Sequence, residues 1–492
     1  ELVDGLKDFK LGGKPVVGFC HSPSQLDYLV YSICSELHMD PAGTLLLNGL
    51  ASEVTFLGET FEKYGVGIQV LRVGDFKGAV EPFTSSGFSE ENRMQISRLL
   101  DLRWSSYLSS IIENRSLSVD LVDFNQSLEE NYLFEPVQAT EWGLVDRVSP
   151  RDKMFDLLET RGTLNSDSGE YRKVSLLDYL DRPKSPSVME EKKNNGVPKV
   201  AVLYVEGTIT DGWNDDGFSV GGNEIADRIR EIRRDSQYKA LVVRVNSPGG
   251  SVSGSDAILM EIKRARKDGL PVVVSMGAVA ASGGYWISTE CDHVFAGKQT
   301  ITGSIGVFGI LPNFQDLADR FGIRWDVVKT QESSDLMTVS RPKTEAELEV
   351  LQGYVERIYD RFIQLVAQSR SKEIAAIEAI AQGRVWMGED ALELGLIDEF
   401  GGIEKSIRHA AQLANLKNGF DVIEYPHLGS PFDALTEALQ ASSSQVAASW
   451  TGDLPFDKIL RDWRFNFGKL RNFNDPRHAY AFLPWYMGRF GF

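Results

Sequence analysis

The segment ATEWGLVDRV at residues 139–148 returns 252 positions later as ALELGLIDEF at residues 391–400. PVVGF, opening at Pro15, is echoed by PVVVS, opening at Pro271, 256 positions on. YGVGIQVLRV at residues 64–73 is echoed by FGIRWDVV at residues 321–328. Matches at a nearly constant spacing imply a domain of roughly 250 residues present twice. Each copy mixes short runs rich in Val and Ile with helical patterns. Strands alternating with helices imply an α/β fold, in which helices cover sheets through right-handed crossovers.

The first repeat covers residues 1–150. A polar, Pro-broken connection follows at residues 151–198, including DRPKSPSVMEEKKNNGVPK and one short amphipathic helix expected around VSLLDYL. The second repeat, residues 199–425, opens on the apolar strand KVAVLYVEGTI. The first repeat has no counterpart to that strand or to ALVVRVN at 240–246, so a native chain that starts earlier is expected. Residues 426–492 form an extension with no partner in the first repeat. Its Trp463, Phe465, Phe467, Tyr480, Phe482 and Trp485 are expected to pack on its own domain or a sister subunit, or to touch a membrane interface.

Charge and composition remove several function classes. Lys and Arg total 52 against 70 Asp and Glu, a net charge of −18, which argues against nucleic acid as a partner. Three cysteines, Cys20, Cys34 and Cys291, make no disulfide scaffold and no CxxC pair. Six histidines without an HExxH pattern leave no metal site to expect, and no cofactor is implied. The chain has no run of about 18 apolar residues of the kind that spans a bilayer.

The chemistry concentrates in glycine-rich segments. ALVVRVN runs into SPGGSVSGSDAI, where Gly249 and Gly250 precede a helix. Glycines there let backbone N–H groups approach developing negative charge, although a plain strand-to-helix turn needs the same residues. Ser282, in SMGAVAASGGYWIS, is flanked by Ala280, Ala281, Gly283 and Gly284. That clearance suits a nucleophile, and equally a helix cap under a close-packed neighbour. A serine needs a base. His293 is the histidine nearest in sequence, and the start of a strand explains it better. Lys77, in VGDFKGAVEPF, sits between an apolar strand and a Gly-Ala-Val turn, where burial could leave its amine neutral. Asp75 and Glu81 would oppose that if they lay close.

NSPGGSV, SMGAVAASGGYWIS, TGSIGVFG and VGDFKGAVEPF together resemble the signal peptide peptidase A family, also called protease IV, in its long duplicated form. The resemblance covers roughly residues 1–425. It implies tandem ClpP/crotonase-like domains, twisted β-sheets with flanking helices. It also implies a Ser/Lys dyad, with Ser282 as nucleophile and Lys77 as general base. Ser304, in TGSIG, would orient the lysine, and the Gly249 and Gly283 amides would form the oxyanion hole. By the same resemblance the substrates are cleaved signal peptides and other short hydrophobic peptides. The assembly would be a homotetramer on the extracytoplasmic side of a bacterial inner membrane, or at a thylakoid membrane, attached through a segment missing from this chain.

The duplication offers a check independent of the family. Ser282 falls on Gln25 in the first repeat, and Lys77 falls near Glu332 in the second. Each repeat keeps one half of the pair, so one composite site per chain is expected. Two rival readings remain: a crotonase-like acyl-CoA enzyme with the same glycine amides but no serine nucleophile, and a non-catalytic scaffold descended from the peptidase.

Overall fold

The computed structural model describes residues 2–163, 172–175, 179, 197–213, 219–417, 419–425, 475, 478–483 and 489–491. Most of the helix expected at VSLLDYL, and most of the aromatic extension including Trp463, Phe465, Phe467 and Trp485, lie outside the described residues. The chain forms two compact units that cut across the sequence repeats. One comprises residues 1–53, 97–192 and 490–492; the other comprises residues 54–96 and 193–489. The stretch carrying Lys77 thus belongs to the same unit as the whole second repeat.

In the first unit, β1 (Val17–Cys20), β2 (Glu36–Met39) and β7 (Arg147–Val148) form a parallel sheet. β3 (Leu45–Leu46) pairs with β6 (Leu133–Phe134). Among the described residues, β4 (Ala51–Glu53) has β21 (Arg489–Gly491) as its one strand neighbour. Tyr28, Leu37, Leu108, Ile111 and Phe134 fill the core.

The second unit holds two sheets. The first runs β17 (Val385–Met387), β15 (Ile301–Gly303), β13 (Val272–Ala281), β11 (Tyr238–Ser247), β8 (Lys199–Glu206), β19 (Asp421–Tyr425); β14 (His293–Ala296) joins β13, and β18 (Glu399–Phe400) joins β14. Its central strands are parallel and almost continuously apolar, as burial on both faces requires. Alternate residues divide between the faces. Ala201, Leu203, Leu241, Val243, Val272 and Val274 pack with Ile229, Ile258 and Phe362. Val200, Val202, Val242 and Val273 pack with Ala410 and Ala411 of the helix Ile403–Leu413. The second sheet runs β10 (Ser219–Gly221), β9 (Thr208–Thr210), β12 (Gly249–Ser251), β20 (Ala479–Phe482), β16 (Val307–Asn313), β5 (Gly67–Val73).

The duplication is legible bond by bond. Tyr28 Oη donates to the Leu144 carbonyl at 2.7 Å, as Tyr285 Oη does to Leu396 at 2.8 Å. Asp146 accepts from the Leu37 amide and from Arg115, as Asp398 does from the Val294 amide and Arg370. The helices Glu90–Arg115 and Glu345–Arg370 each have 26 residues, and each is followed by a serine in the left-handed region, Ser116 and Ser371. These pairs establish the α/β fold as a tandem duplication.

Candidate functional site

Strand β13 lies between β11 and β15 and delivers Ser282 directly after its last residue. Ser282 has φ 55°, a left-handed conformation that costs a β-carbon residue about 1–3 kcal/mol. Its amide is pinned to the Gly303 carbonyl at 2.8 Å, and the helix Gly283–Trp286 starts behind it. Ser304, after β15, is also left-handed at φ 51°, with its amide held by Arg384 O at 2.7 Å.

Lys77 arrives from the other sheet. Strand β5 is followed by Gly74, at φ 103°, where a β-carbon would stand 2.5 Å from the Gln382 carbonyl carbon. The Phe76 amide then donates to Gln382 O at 3.0 Å, and the Arg384 guanidinium lies 4.1 Å over the Phe76 ring. On the far side, Gly78 lets Asn92 come close; Asn92 Nδ2 in turn donates to Glu81 Oε1 at 2.6 Å.

These elements place the Lys77 amine 2.7 Å from Ser282 Oγ, 3.0 Å from Ser304 Oγ and 3.0 Å from the Ser304 carbonyl. All three side chains are fully buried. Desolvation alone holds the Lys77 pKa well below the ordinary lysine value, because burial penalises the charged form. Asp75 and Glu81 do not counter it; the Glu81 carboxylate is engaged by Asn92 and by the Ser89 amide. A neutral amine has two N–H groups and one lone pair, enough to donate twice to Ser304 and accept from the Ser282 hydroxyl.

The other expected residues fall into place unevenly. Gly249, at φ 94°, lies against Gly283: a β-carbon on Gly249 would stand 2.5 Å from the Gly283 amide nitrogen. Both glycines abut the Ala481 carbonyl oxygen, at 2.1 Å and 3.1 Å from the positions their β-carbons would take. The Gly249 amide donates to Ser247 Oγ at 3.1 Å, so an oxyanion there would share or displace that bond. His293 pairs with Val273, nine residues before Ser282 along β13, which is roughly 30 Å of strand away. It is no candidate base. Gln25 donates to the Gly49 carbonyl at 2.9 Å, and Glu332 lies in an exposed turn, so neither completes a second pair. The spacing between repeats here is 257, which makes Ser334 the counterpart of Lys77; no lysine stands there either.

Sequence reasoning missed β20. This strand of the extension runs antiparallel to β12 on one side and β16 on the other, with Gly250 opposite Ala481 and Phe308 opposite Tyr480. Asp475 secures it, accepting from Ser251 Oγ at 2.6 Å and from the Ser253 amide at 3.1 Å. The short apolar run AYAF is the one signal of it in the sequence. Gln382–Arg384, the cradle of the lysine segment, carries no signal of its own.

The cradle yields a prediction. Gly383 has φ 77°, and its β-carbon would come within 2.7 Å of the Lys77 amide nitrogen. Gly383→Ala should displace the lysine by a fraction of an ångström to about 1 Å and lower kcat up to about a hundred-fold with KM little changed. Steady-state kinetics beside a thermal melt would check this.

Among the described residues, no helix is long and apolar enough to cross a membrane, and no cluster of His, Cys, Asp or Glu could hold a metal ion. Burial pushes the Cys20 and Cys291 thiols up to about 12, so neither offers a thiolate nucleophile.

Comparison with known proteins matches residues 8–165 and 264–417 to peptidase family S49. Protease 4 of Haemophilus influenzae is 33% identical over 97% of this chain and 78% of its own length. Protease 4 of Salmonella typhi is 34% identical over 97% of this chain and 76% of its own. The chloroplastic serine protease SPPA of Arabidopsis thaliana is 30% identical over 91% of this chain and 65% of its own.

Proposed function

The chain belongs to peptidase family S49 and is a serine peptidase; from that premise we propose that Ser282 is its nucleophile and Lys77 its general base. The observation that carries this reading is the 2.7 Å approach of a fully buried, uncompensated amine to the serine oxygen. Neutral Lys77 takes the Ser282 proton as Oγ attacks the scissile carbonyl carbon. The ammonium formed is held by Ser304 and gives its proton to the leaving amine. Water then attacks the acyl-serine with Lys77 again as base. Amides at Gly249 and Gly283 stabilise the oxyanion.

The β20 strand supports a peptide as the substrate. An extended segment lies between β12 and β16 and brings its Ala481 carbonyl against the two oxyanion glycines. A peptide substrate bound in the same way would gain main-chain bonds from both strands. By family resemblance, the substrates are cleaved signal peptides and other short hydrophobic peptides, and the enzyme is a membrane-associated homotetramer acting on the extracytoplasmic side. An acyl-CoA enzyme would need the amides but not the Ser–Lys contact. Covalent labelling of Ser282 by a fluorophosphonate separates the two, since an enzyme without a serine nucleophile stays unlabelled.

The dyad also sets a pH dependence. Protonated Lys77 cannot accept the serine proton, so kcat/KM should rise with pH through the lowered lysine pKa and then level off. A profile governed by an imidazole-like inflection that survives Lys77→Arg would contradict this assignment.

A further inference from the structure

Strand β20 sits where the proposed mechanism places a substrate, and its register fixes which residue would meet the nucleophile. The Ala481 carbonyl oxygen lies against Gly249 and Gly283, the place of the carbonyl that Ser282 would attack. Ala481 then stands for the residue before the cleaved bond, and Phe482 for the residue after it. The pairing with β12 runs through both: Tyr480 lies opposite Ser251, Ala481 opposite Gly250 and Phe482 opposite Gly249. Beyond them the Leu483 amide donates to the Pro248 carbonyl at 2.8 Å. On the other edge, Ala479 lies opposite Gly309 and Tyr480 opposite Phe308. With β20 in place Ser282 and Lys77 are fully buried, so a substrate reaches them by taking the strand's place.

Successive residues of a strand face opposite ways, and β20 sorts its side chains by size in doing so. Ala479 and Ala481 are buried in the main core cluster, which includes Val252, Trp286, Ile305 and Val307. Tyr480 and Phe482 pack in a separate cluster with Ala79, Val80 and Phe308, where the Tyr480 and Phe308 rings lie 5.8 Å apart. One face of the strand meets the core through single methyl groups; the other carries two rings. A close-packed interior does not absorb an added isobutyl or benzyl group without strain. A cavity of about 450 Å³ lies between Val252, Trp286 and Arg361, but neither alanine forms part of its wall.

We propose that this site selects peptides with small side chains at the first and third positions before the cleaved bond, the positions held here by Ala481 and Ala479. The second position and the one after the bond, held by Tyr480 and Phe482, take large apolar side chains. The proposal rests on the reading of Ser282 as nucleophile and names the substrate class for it. Hydrolysis leaves the new carboxylate on the small residue and the new amine on the large one.

The test uses the full chain and end-blocked peptides built on His-Ala-Tyr-Ala-Phe-Leu, the sequence of residues 478–483. Glycine, serine, leucine and phenylalanine replace the alanine of the first position, and then that of the third. Competition from β20 acts equally on every peptide, so ratios of kcat/KM between peptides are independent of it. The masses of the products should place the cut between Ala and Phe. Leucine or phenylalanine at either alanine position should lower kcat/KM by roughly ten- to a hundred-fold, whereas glycine and serine should stay within about ten-fold of alanine. Leucine or phenylalanine accepted as well as alanine would overturn the proposal, and so would a cut elsewhere in the parent peptide. A protein that a fluorophosphonate labels at Ser282 but that cuts no peptide of the set also overturns it, with the nucleophile reading intact. Loss of labelling and cleavage together would remove that reading, and the proposal with it.

Discussion

Ser282→Ala is expected to lower kcat/KM by roughly a million-fold, the scale of loss when a nucleophile that acts as one unit with its base is removed. The fold should persist. The missing oxygen is one of three partners of the Lys77 amine, and the two at Ser304 remain. Alanine at φ 55° carries a backbone cost similar to serine's. Hydrolysis of an extended peptide and a thermal melt, measured on one preparation, check both halves. A loss of activity that came with a collapsed melting transition would assign Ser282 to the fold rather than to the chemistry.

Lys77→Met should abolish activity to a similar degree with the opposite consequence for stability. Lys77 is buried without a counter-charge, so its folded-state pKa lies below the 10.5 of an ordinary lysine. Between those two values the unfolded chain binds a proton that the folded chain does not, so stability rises with pH across that window. Below the folded pKa both states are protonated and the full penalty applies. Met fills a similar volume without a charge to desolvate. The variant should melt no lower than wild type at neutral pH and should lose that part of the pH slope. Urea unfolding at several pH values would show it. A marked fall in stability would mean that the amine's three hydrogen bonds outweigh its burial.

The double mutant Ser282→Ala/Lys77→Met should be no less active than either single mutant, since neither group works without the other.

Much of this site is legible in the amino-acid sequence. The repeat spacing aligns Tyr28 with Tyr285, and both make the same bond to a carbonyl. Lys77 is readable only through the combination of motifs, because a single lysine beside a turn is usually a solvated charge. What stays hidden are pairings between residues far apart. The segment 54–96 reads as part of the first repeat, yet β5 pairs with β16 about 240 positions later, and no local period records that partner. Strand β20 is four residues long, too short for its alternation to stand out among the aromatics around it. The effect of Asp75 and Glu81 on the lysine is also a matter of distance and partners. Asn92, reached through the space left at Gly78, holds Glu81 to another task.

Whether Lys77 is neutral when it meets Ser282 is tested most directly by NMR of protein labelled with ¹³C at lysine Cε. One resonance, absent in Lys77→Arg, should titrate below the ordinary lysine range, and its midpoint should coincide with the rising limb of kcat/KM. A Lys77 resonance that titrates at or above 10.5, or whose midpoint departs from that limb, would contradict a neutral lysine base.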